Sequence, residues 1–194
     1  MRDGKRPWHV SEPAAHQMTA HRSDLLARLG SQSFDLLVIG GGIVGAGIAR
    51  DAAMRGLRVA LIEQGDFASG TSSKTSKVIH GGLRYLEHGR FRLVCESLRE
   101  RHILRTIAPQ VVWSRALMIP IYRGDPRPSW RINAGLTLYD WLAFHRNIRA
   151  HRMSSRRETL RIEPKLSQEG LRAAATYFDC QMDDARLCLA NILQ

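Results

Sequence analysis

The stretch FDLLVIGGGIVGAG, residues 34–47, decides the fold of this chain, because an apolar run ends there in closely spaced glycines. The apolar run predicts a β-strand. Gly40, Gly42 and Gly45 follow in the G-x-G-x-x-G spacing, at which a chain can turn tightly, bring its backbone against a pyrophosphate and pack a helix closely on the strand. Glycine turns also occur in ordinary loops, so this prediction depends on the sequence around them.

The sequence after the glycines supports a nucleotide-binding βαβ unit. Residues 44–55 are rich in small side chains that allow close helix packing, Gly56 is placed to end that helix, and residues 58–63 predict a second strand. Glu63 follows Gly45 by 18 residues. Its carboxylate can accept hydrogen bonds from ribose hydroxyls and would repel a 2′-phosphate. The pattern predicts FAD or NAD as cofactor, and not NADP.

Length and composition favour a small globular protein. The chain has 194 residues, of which 44% are hydrophobic, and no stretch reaches the roughly 18 apolar residues of a bilayer span. Residues 1–33 lack the apolar core of a signal peptide and are predicted to be a partly disordered extension. Cys95, Cys180 and Cys188 show no C-x-x-C spacing. They indicate neither a disulfide framework nor a zinc site and favour a reducing cytoplasm.

The charge of the chain leaves three interpretations open. The net charge is +11, and residues 145–161 contain six arginines against the single Glu158. Such a run can be a solvated surface, which is the commonest explanation, an anionic membrane contact or a nucleic-acid contact. Because no RRM, KH or helix-turn-helix pattern accompanies the run, we expect no nucleic acid as partner.

A hydroxyl-rich segment and a second glycine pair follow the βαβ unit. Residues 69–76, SGTSSKTS, can donate many hydrogen bonds, and residues 78–87, VIHGGLRYLE, place two glycines between a histidine and an arginine. Adjacent glycines let a backbone approach a flat ring, and a guanidinium suits a phosphate or a carboxylate. Together the two segments favour a flavoenzyme over a plain NAD dehydrogenase.

The sequence from residue 34 onward closely resembles the FAD-dependent glycerol-3-phosphate dehydrogenases of aerobic glycerol metabolism. The resemblance is most specific at residues 73–87, resumes at residues 183–187, DDARL, and is weaker over residues 112–172. It implies an α/β fold, Rossmann-like and FAD-binding, of the two-dinucleotide-fold flavoprotein type. The implied divisions are an FAD-binding core with a flavin-contacting loop (34–111), the start of a substrate or cap region (112–172) and a return to the FAD domain (173–194).

The resemblance also implies which residues contact the cofactor and the substrate. The ADP half of FAD would be held by Gly40, Gly42, Gly45 and Glu63. Its pyrophosphate and ribityl region would be lined by Thr71, Ser72, Ser76 and Lys77, and its isoalloxazine approached by His80, Gly81, Gly82 and Leu83. Arg84 and Tyr85 would face the substrate, with Arg84 contacting its phosphate, and a surface salt bridge is the alternative for Arg84.

No catalytic base is identified by the sequence. His80 is a weak candidate, since an imidazole titrates near neutral pH, but a histidine beside a glycine pair more often makes a structural hydrogen bond. The aspartates at 179, 183 and 184 could suggest a hard metal ion. We expect no metal, because Asp183 and Asp184 stand where a helix begins, stabilise its N-terminus and could pair with Arg186.

The activity implied by the resemblance is oxidation of sn-glycerol 3-phosphate to dihydroxyacetone phosphate, with hydride transfer from C2 to flavin N5 and electrons passed to a quinone. The enzyme would lie peripherally on the inner face of the cytoplasmic membrane, and the full-length protein could form a homodimer. Family members are much longer than this chain. We therefore expect an N-terminal portion that is weakly active or inactive alone, with an exposed sheet edge and a tendency to associate.

Two other functions stay open at this point. One is an FAD-dependent oxidoreductase of the same architecture that acts on an amino acid or amine, which the HGGLRY and DDARL segments disfavour. The other is a non-catalytic basic protein with a vestigial nucleotide fold, whose arginines bind nucleic acid or lipid. Bound flavin and its response to substrate would separate the three.

The remaining segments predict scaffold. Residues 91–108 predict an amphipathic helix, residues 116–122 and 173–178 predict strands, and residues 185–193 predict a helix. Residues 130–144 carry aromatic side chains beside arginines. This segment suits a membrane interface and equally suits packing into a substrate domain.

Overall fold

The structure is a computed structural model that describes residues 22–193. Residues 1–21, which form most of the predicted extension, lie outside the described residues. Residues 22–31 of that extension form helix α1 (Arg22–Ser31), whose side chains are all exposed.

The predicted βαβ unit is confirmed. Strand β1 (Leu36–Ile39), helix α2 (Ile43–Met54) and strand β2 (Val59–Ile62) follow one another, and the two strands pair in parallel with Leu36 opposite Val59. Gly56 adopts φ +84°, a left-handed conformation that ends the helix as the sequence predicts. The unit brings residues 40–42, at the end of β1, against the N-terminus of α2.

A four-stranded antiparallel sheet forms the second layer. Strand β6 (Leu171–Met182) pairs along its length with β4 (Val112–Tyr122), and on its other side with β3 (Val78–Ile79) and β5 (Arg152–Ser155). The predicted strands at 116–122 and 173–178 are present and longer than predicted. Strand β5 has no counterpart in the sequence predictions.

Five further helices cover this sheet and the βαβ unit. They are α3 (Leu83–Leu86), α4 (Phe91–Ile107), α5 (Ser129–Ala143), α6 (Arg156–Ile162) and α7 (Asp184–Ile192). Helix α4 packs on α5 through a buried cluster of Val94, Leu98, Tyr139 and Ala143. Helix α7 packs on α2 through Ala46 and Cys188. Within residues 22–193 no helix has both the length and the apolar content needed to cross a membrane.

The aromatic residues of segment 130–144, for which the sequence left a membrane interface and internal packing open, lie on two different faces of helix α5. Leu136, Tyr139 and Ala143 are at most 1% exposed and face α4 and the sheet. Trp130 and Trp141 are 72% and 71% exposed, and at about 100° per residue their spacing of eleven positions puts them on one face, opposite the buried residues. Part of the segment therefore packs into the protein, and part faces solvent.

Candidate FAD and substrate site

The glycine turn after β1 is packed too closely for side chains. A Cβ added at Gly45 would lie 1.9 Å from the carbonyl oxygen of Gly40, and one at Gly41 would lie 2.3 Å from the ring of Phe67. Gly40 itself has φ +109°, which L side chains rarely adopt. Because glycines occupy these positions, no side chain separates the backbone of the turn from the expected position of the pyrophosphate.

A hydroxyl from the serine-rich loop reaches the N-terminus of α2. Ser72 lies in a short 3₁₀ turn (Thr71–Ser73), and its Oγ accepts a hydrogen bond from the amide of Ile43 at 2.9 Å. The amide groups at a helix N-terminus and the helix dipole favour negative charge. Because the Ser72 hydroxyl keeps its own proton, it can donate to an anion at the same place.

Glu63 stands at the end of β2 with its carboxylate held by backbone amides. Its Oε1 accepts from the amide of Gly65 at 2.9 Å and its Oε2 from the amide of Gly41 at 2.7 Å. The bond from Gly65 and then that from Gly41 lower the pKa of Glu63 below its usual value. An ionised, half-buried carboxylate beside the glycine turn is the acceptor that ribose hydroxyls require, so these residues fit an ADP moiety.

Helix α7 supports the loop and the turn from behind. The Asp184 carboxylate, 4% exposed, accepts from Lys77 Nζ at 2.6 Å and Thr75 Oγ1 at 2.8 Å. Lys77, then Thr75 and a backbone amide, hold the pKa of Asp184 well below its usual range. On the next turn of α7, Cys188 Sγ donates to the carbonyl oxygen of Gly41 at 3.6 Å. The Lys77 ammonium is therefore engaged by the buried Asp184 carboxylate, although the Lys77 side chain, like Thr71 and Ser76, is exposed.

Asp183 and Asp184 begin α7 as the sequence predicts. Asp183 is the N-cap, with its side chain accepting from the amide of Arg186 at 3.1 Å, and it also pairs with the Arg186 guanidinium at 3.8 Å. Asp184 pairs with Lys77 and not with Arg186. Asp179, the third member of the predicted acid cluster, pairs with Arg101 in the interior.

The predicted flavin-contacting segment forms a tight turn at the end of β3. The amide of Gly82 donates to His80 Nδ1 at 3.1 Å, and Gly82 adopts φ +76°. The amide of Gly81 donates to the Tyr139 hydroxyl at 2.8 Å. His80 therefore makes the structural hydrogen bond that the sequence favours for a histidine in this position.

A buried polar group, missed by sequence reasoning, lies behind this turn. Arg101, Tyr139 and Asp179 are each 1% exposed. Tyr139 donates to Asp179 Oδ1 at 2.8 Å, and Arg101 pairs with the same oxygen. Burial, and then the Asp179 charge, raises the pKa of Tyr139 far above its ordinary value, so the phenol stays protonated. The sequence could have indicated the burial of Arg101 only through its spacing from Val94 and Leu98, which places all three on the same face of α4.

A cavity of about 1030 Å³ opens beside the turn, between α3, α5 and the sheet. Arg84 lines it together with Arg127, Arg131 and Tyr177. Arg127 is engaged by Glu87, with its Nη2 2.8 Å from Oε2, whereas Arg84 makes no ion pair within residues 22–193. Of the two predicted substrate residues, Arg84 thus lines the cavity. Tyr85 does not, and its ring lies against Gly82.

Comparisons with known proteins agree with this geometry. Residues 35–194 match the family described as FAD dependent oxidoreductase. The chain is 50% identical over 153 residues to a glycerol-3-phosphate dehydrogenase of Synechocystis, which covers 79% of this chain and 28% of the relative. It is 46% identical over 186 residues to glycerol-3-phosphate dehydrogenase 2 of Mycobacterium tuberculosis, which covers 95% of this chain and 31% of that protein.

A solved structure extends the likeness to three dimensions. The glycerol-3-phosphate dehydrogenase from Bacillus halodurans complexed with FAD superposes with a TM-score of 0.62 at 32% identity, covering 88% of this chain and 26% of that one. The chain thus spans roughly three tenths of the length of these curated relatives. Because the family match extends over most of the sequence, the chain belongs to the family of FAD-dependent oxidoreductases.

Proposed function

We propose that this chain supplies the FAD-binding part, and one wall of the substrate cavity, of an enzyme that oxidises sn-glycerol 3-phosphate to dihydroxyacetone phosphate. The observation that carries the proposal is the position of Arg84. It follows the turn expected to approach the flavin within one helical turn. It faces the cavity, and it pairs with no carboxylate among residues 22–193. The relatives named glycerol-3-phosphate dehydrogenase support the same substrate.

In this proposal the residues of the chain bind and orient the cofactor and the substrate, and the cofactor carries out the redox chemistry. When bound, FAD supplies the acceptor for the two electrons that leave the substrate. Glu63, at the glycine turn, would hold the adenosine ribose, while Ser72 and the N-terminus of α2 would hold the pyrophosphate. Arg84 holds the substrate phosphate by charge-assisted hydrogen bonds, which fixes where C2 of the glycerol lies.

The hydrogen bond at His80 argues against this residue as the proton acceptor. A neutral imidazole whose Nδ1 accepts from the Gly82 amide carries its proton on Nε2. Both ring nitrogens are then occupied, so the ring has no free lone pair for the substrate hydroxyl while this bond persists. We therefore place His80 in the turn as a structural residue and leave the base outside the residues of this turn.

The first experiment is a flavin spectrum. The purified chain is incubated with FAD, separated from free cofactor and recorded anaerobically before and after sn-glycerol 3-phosphate. Bleaching of the bound flavin supports the proposal. Bleaching by glycine and not by glycerol 3-phosphate would favour an amine oxidoreductase instead. A chain that holds no flavin would contradict the assignment of FAD binding to these residues alone.

Arg84→Gln tests the substrate phosphate contact. We expect the concentration of sn-glycerol 3-phosphate for half-maximal bleaching to rise by about tenfold or more, because a charge-assisted hydrogen bond is lost. The matched control is Arg92→Gln, which removes an arginine on α4 outside the cavity. Equal effects of the two substitutions would mean that only overall charge matters and that Arg84 does not contact the phosphate.

We further propose that the protein lies on the inner face of the cytoplasmic membrane, where a quinone accepts the electrons. Support comes from the exposed face of α5, where Trp130 and Trp141 stand out, and from Phe144 just beyond it, 75% exposed. A net charge of +11 adds attraction to anionic lipid. Exposed aromatic residues on a cationic surface are typical of interfacial binding.

Vesicle sedimentation tests this location. The chain should bind vesicles that contain anionic phospholipid more tightly than zwitterionic vesicles, and Trp141→Ala should weaken that binding. Trp113→Ala, on β4, is the control, since Trp113 is only 43% exposed and lies off the α5 face. Equal loss in both variants, or no preference for anionic vesicles, would contradict the proposal. Preference for duplex DNA would favour the non-catalytic alternative.

A further inference from the structure

The turn expected to approach the flavin is held from behind by a side chain that the sequence did not single out. The Gly81 amide donates to the Tyr139 hydroxyl at 2.8 Å, and lies 3.4 Å from Asp179 Oδ1. The Tyr139 hydroxyl donates its one proton to that same Oδ1 at 2.8 Å. Since a phenol has a single proton, this bond to the carboxylate leaves the oxygen lone pairs facing Gly81.

Arg101 fixes the carboxylate in turn. It pairs with Asp179 Oδ1 and donates to the carbonyl oxygen of Phe178 at 3.1 Å, and its other terminal nitrogen lies 3.4 Å from the carbonyl oxygen of Arg146. The three side chains come from α4, α5 and β6. Three separate elements therefore meet behind one amide group.

Packing holds the same turn sterically. A Cβ at Gly81 would lie 2.3 Å from the Tyr139 hydroxyl and 2.3 Å from Leu98 Cδ2. The backbone of Gly81 thus lies directly against the phenol and the apolar core. Gly82, at φ +76°, then turns the chain into α3 and towards Arg84.

Stability alone gives a weak reason for these polar groups. A buried ion pair loses much of its attraction to desolvation, and well-packed apolar side chains of the same volume are often as stable or more so. Phenylalanine would fill the Tyr139 site. Hydrogen bonds, unlike apolar contacts, fix direction, so the group suits a role in setting the orientation of the Gly81 peptide.

We propose that Tyr139 and Asp179, anchored by Arg101, are positioning residues that hold the Gly81 amide and fix the turn His80–Gly82. The effect on bound flavin rests on the proposed function, whereas the effect on the turn does not. The same oxygen of Asp179 carries all three contacts, so a change at any of the three side chains is transmitted to the turn.

Tyr139→Phe tests the proposal, and Tyr122→Phe, at the far end of β4, is the matched control. Amide hydrogen exchange is measured on peptides that cover residues 78–86 and on the rest of the chain. We expect exchange in residues 78–86 to become about tenfold faster in Tyr139→Phe, with other core peptides little changed. In the holoprotein we expect a shift of the flavin absorption band and of its reduction potential.

The exchange rates test the positioning role of Tyr139, and the flavin band and potential test its effect on the cofactor. Unchanged exchange in residues 78–86 overturns the proposal, and uniformly faster exchange shows a role in global stability only. Faster local exchange with an unaltered flavin band and potential overturns the link to the cofactor. If the wild-type chain holds no flavin, the proposed function fails for this chain while exchange still decides the positioning role. Should Tyr139→Phe not fold, Arg101→Lys is measured in the same way, since it keeps the buried positive charge and loses the guanidinium contacts to the carbonyl oxygens of Phe178 and Arg146.

Discussion

Among single residues, Gly45 shows most directly why the turn needs glycine. Gly45→Ala would place a methyl group 1.9 Å from the Gly40 carbonyl oxygen, a backbone atom that can move only with the turn itself. We expect a loss of about 1–3 kcal/mol in the free energy of unfolding and a clear loss of FAD affinity. Chemical denaturation and FAD titration measure the two effects.

Gly47→Ala is the control for this substitution. Gly47 lies in the same helix, and a Cβ there would meet no atom of residues 22–193 within 4 Å. Since alanine favours helix over glycine, this variant should gain about 0.5–1 kcal/mol of stability and keep its FAD affinity. Equal loss of affinity in both variants would mean that α2 as a whole, and not the close approach at Gly45, determines binding.

Residues whose role is local were predictable from sequence, and residues whose role depends on tertiary contacts were not. The spacing of Gly40, Gly42, Gly45 and Glu63 reports a turn built within one βαβ unit, and the structure brings these residues together. Arg101 has its partner at position 179, on another element. An arginine in an amphipathic helix ordinarily lies on the solvated face, so only the position of Arg101 on the buried face of α4 hinted at a partner.

Among the elements, helix α7 shows how a charge in the first turn contributes to stability. Asp184→Asn removes the carboxylate that binds Lys77 and Thr75. We expect a loss of about 1–3 kcal/mol in the free energy of unfolding at neutral pH, measured by urea denaturation. Asp183→Asn is the control, because asparagine is as good an N-cap as aspartate. A loss in Asp183→Asn as large as in Asp184→Asn would attribute the effect to negative charge at the helix N-terminus, and not to the contacts of Asp184 with Lys77 and Thr75.

The same helix predicts a pH dependence. Because the pKa of Asp184 is lowered in the folded protein, its carboxylate contributes full stability above its unfolded value of about 3.9 and loses that contribution as pH falls towards the folded value. The stability difference between wild type and Asp184→Asn should therefore be largest near pH 7 and shrink below about pH 4. Urea midpoints at pH 7 and pH 3 measure it. A difference that stays constant with pH would contradict this origin.

The sequence patterns underestimated the lengths of two strands and did not predict β5. The sequence predicted residues 116–122 of β4 and residues 173–178 of β6, but the pairing extends from Val112 opposite Met182 to Tyr122 opposite Leu171. The outer parts carry polar residues such as Arg115 and Asp179, which a local pattern excludes from a strand. Strand β5 is short and mostly polar, and it pairs with β6, a strand that follows it by 16 residues. The lengths of these strands are thus set by pairing with strands that are distant in sequence.

At the scale of the whole molecule, the βαβ unit leaves apolar side chains of β1 exposed on one face. On β1, Val38 is buried against α2, while its neighbours Leu37 and Ile39 are 54% and 79% exposed on the opposite face. Parallel strands are ordinarily covered on both faces. This face therefore favours contact with a second copy or with another chain, in keeping with the predicted tendency to associate.

Sedimentation across a range of concentrations tests this expectation. The chain should self-associate as concentration rises, and Leu37→Lys should reduce that association because it introduces a charge into the apolar face. Ile107→Lys is the control, since Ile107 is 62% exposed at the end of α4 and lies outside this face. A monomer at every concentration, or equal effects of the two lysines, would contradict the role of the β1 face.

The contact between Cys188 and the carbonyl of Gly41 joins positions 147 residues apart, and the Lys77 contact to Asp184 joins positions 107 residues apart. Proteins are synthesised from the N-terminus, so a ribosome translates the glycine turn early and the helix that backs it much later. Until residue 188 has left the exit tunnel, the turn has none of this support. The glycine turn therefore gains this support only after residues 184–188 have emerged, so α7 completes the candidate cofactor site after the βαβ unit itself has been synthesised.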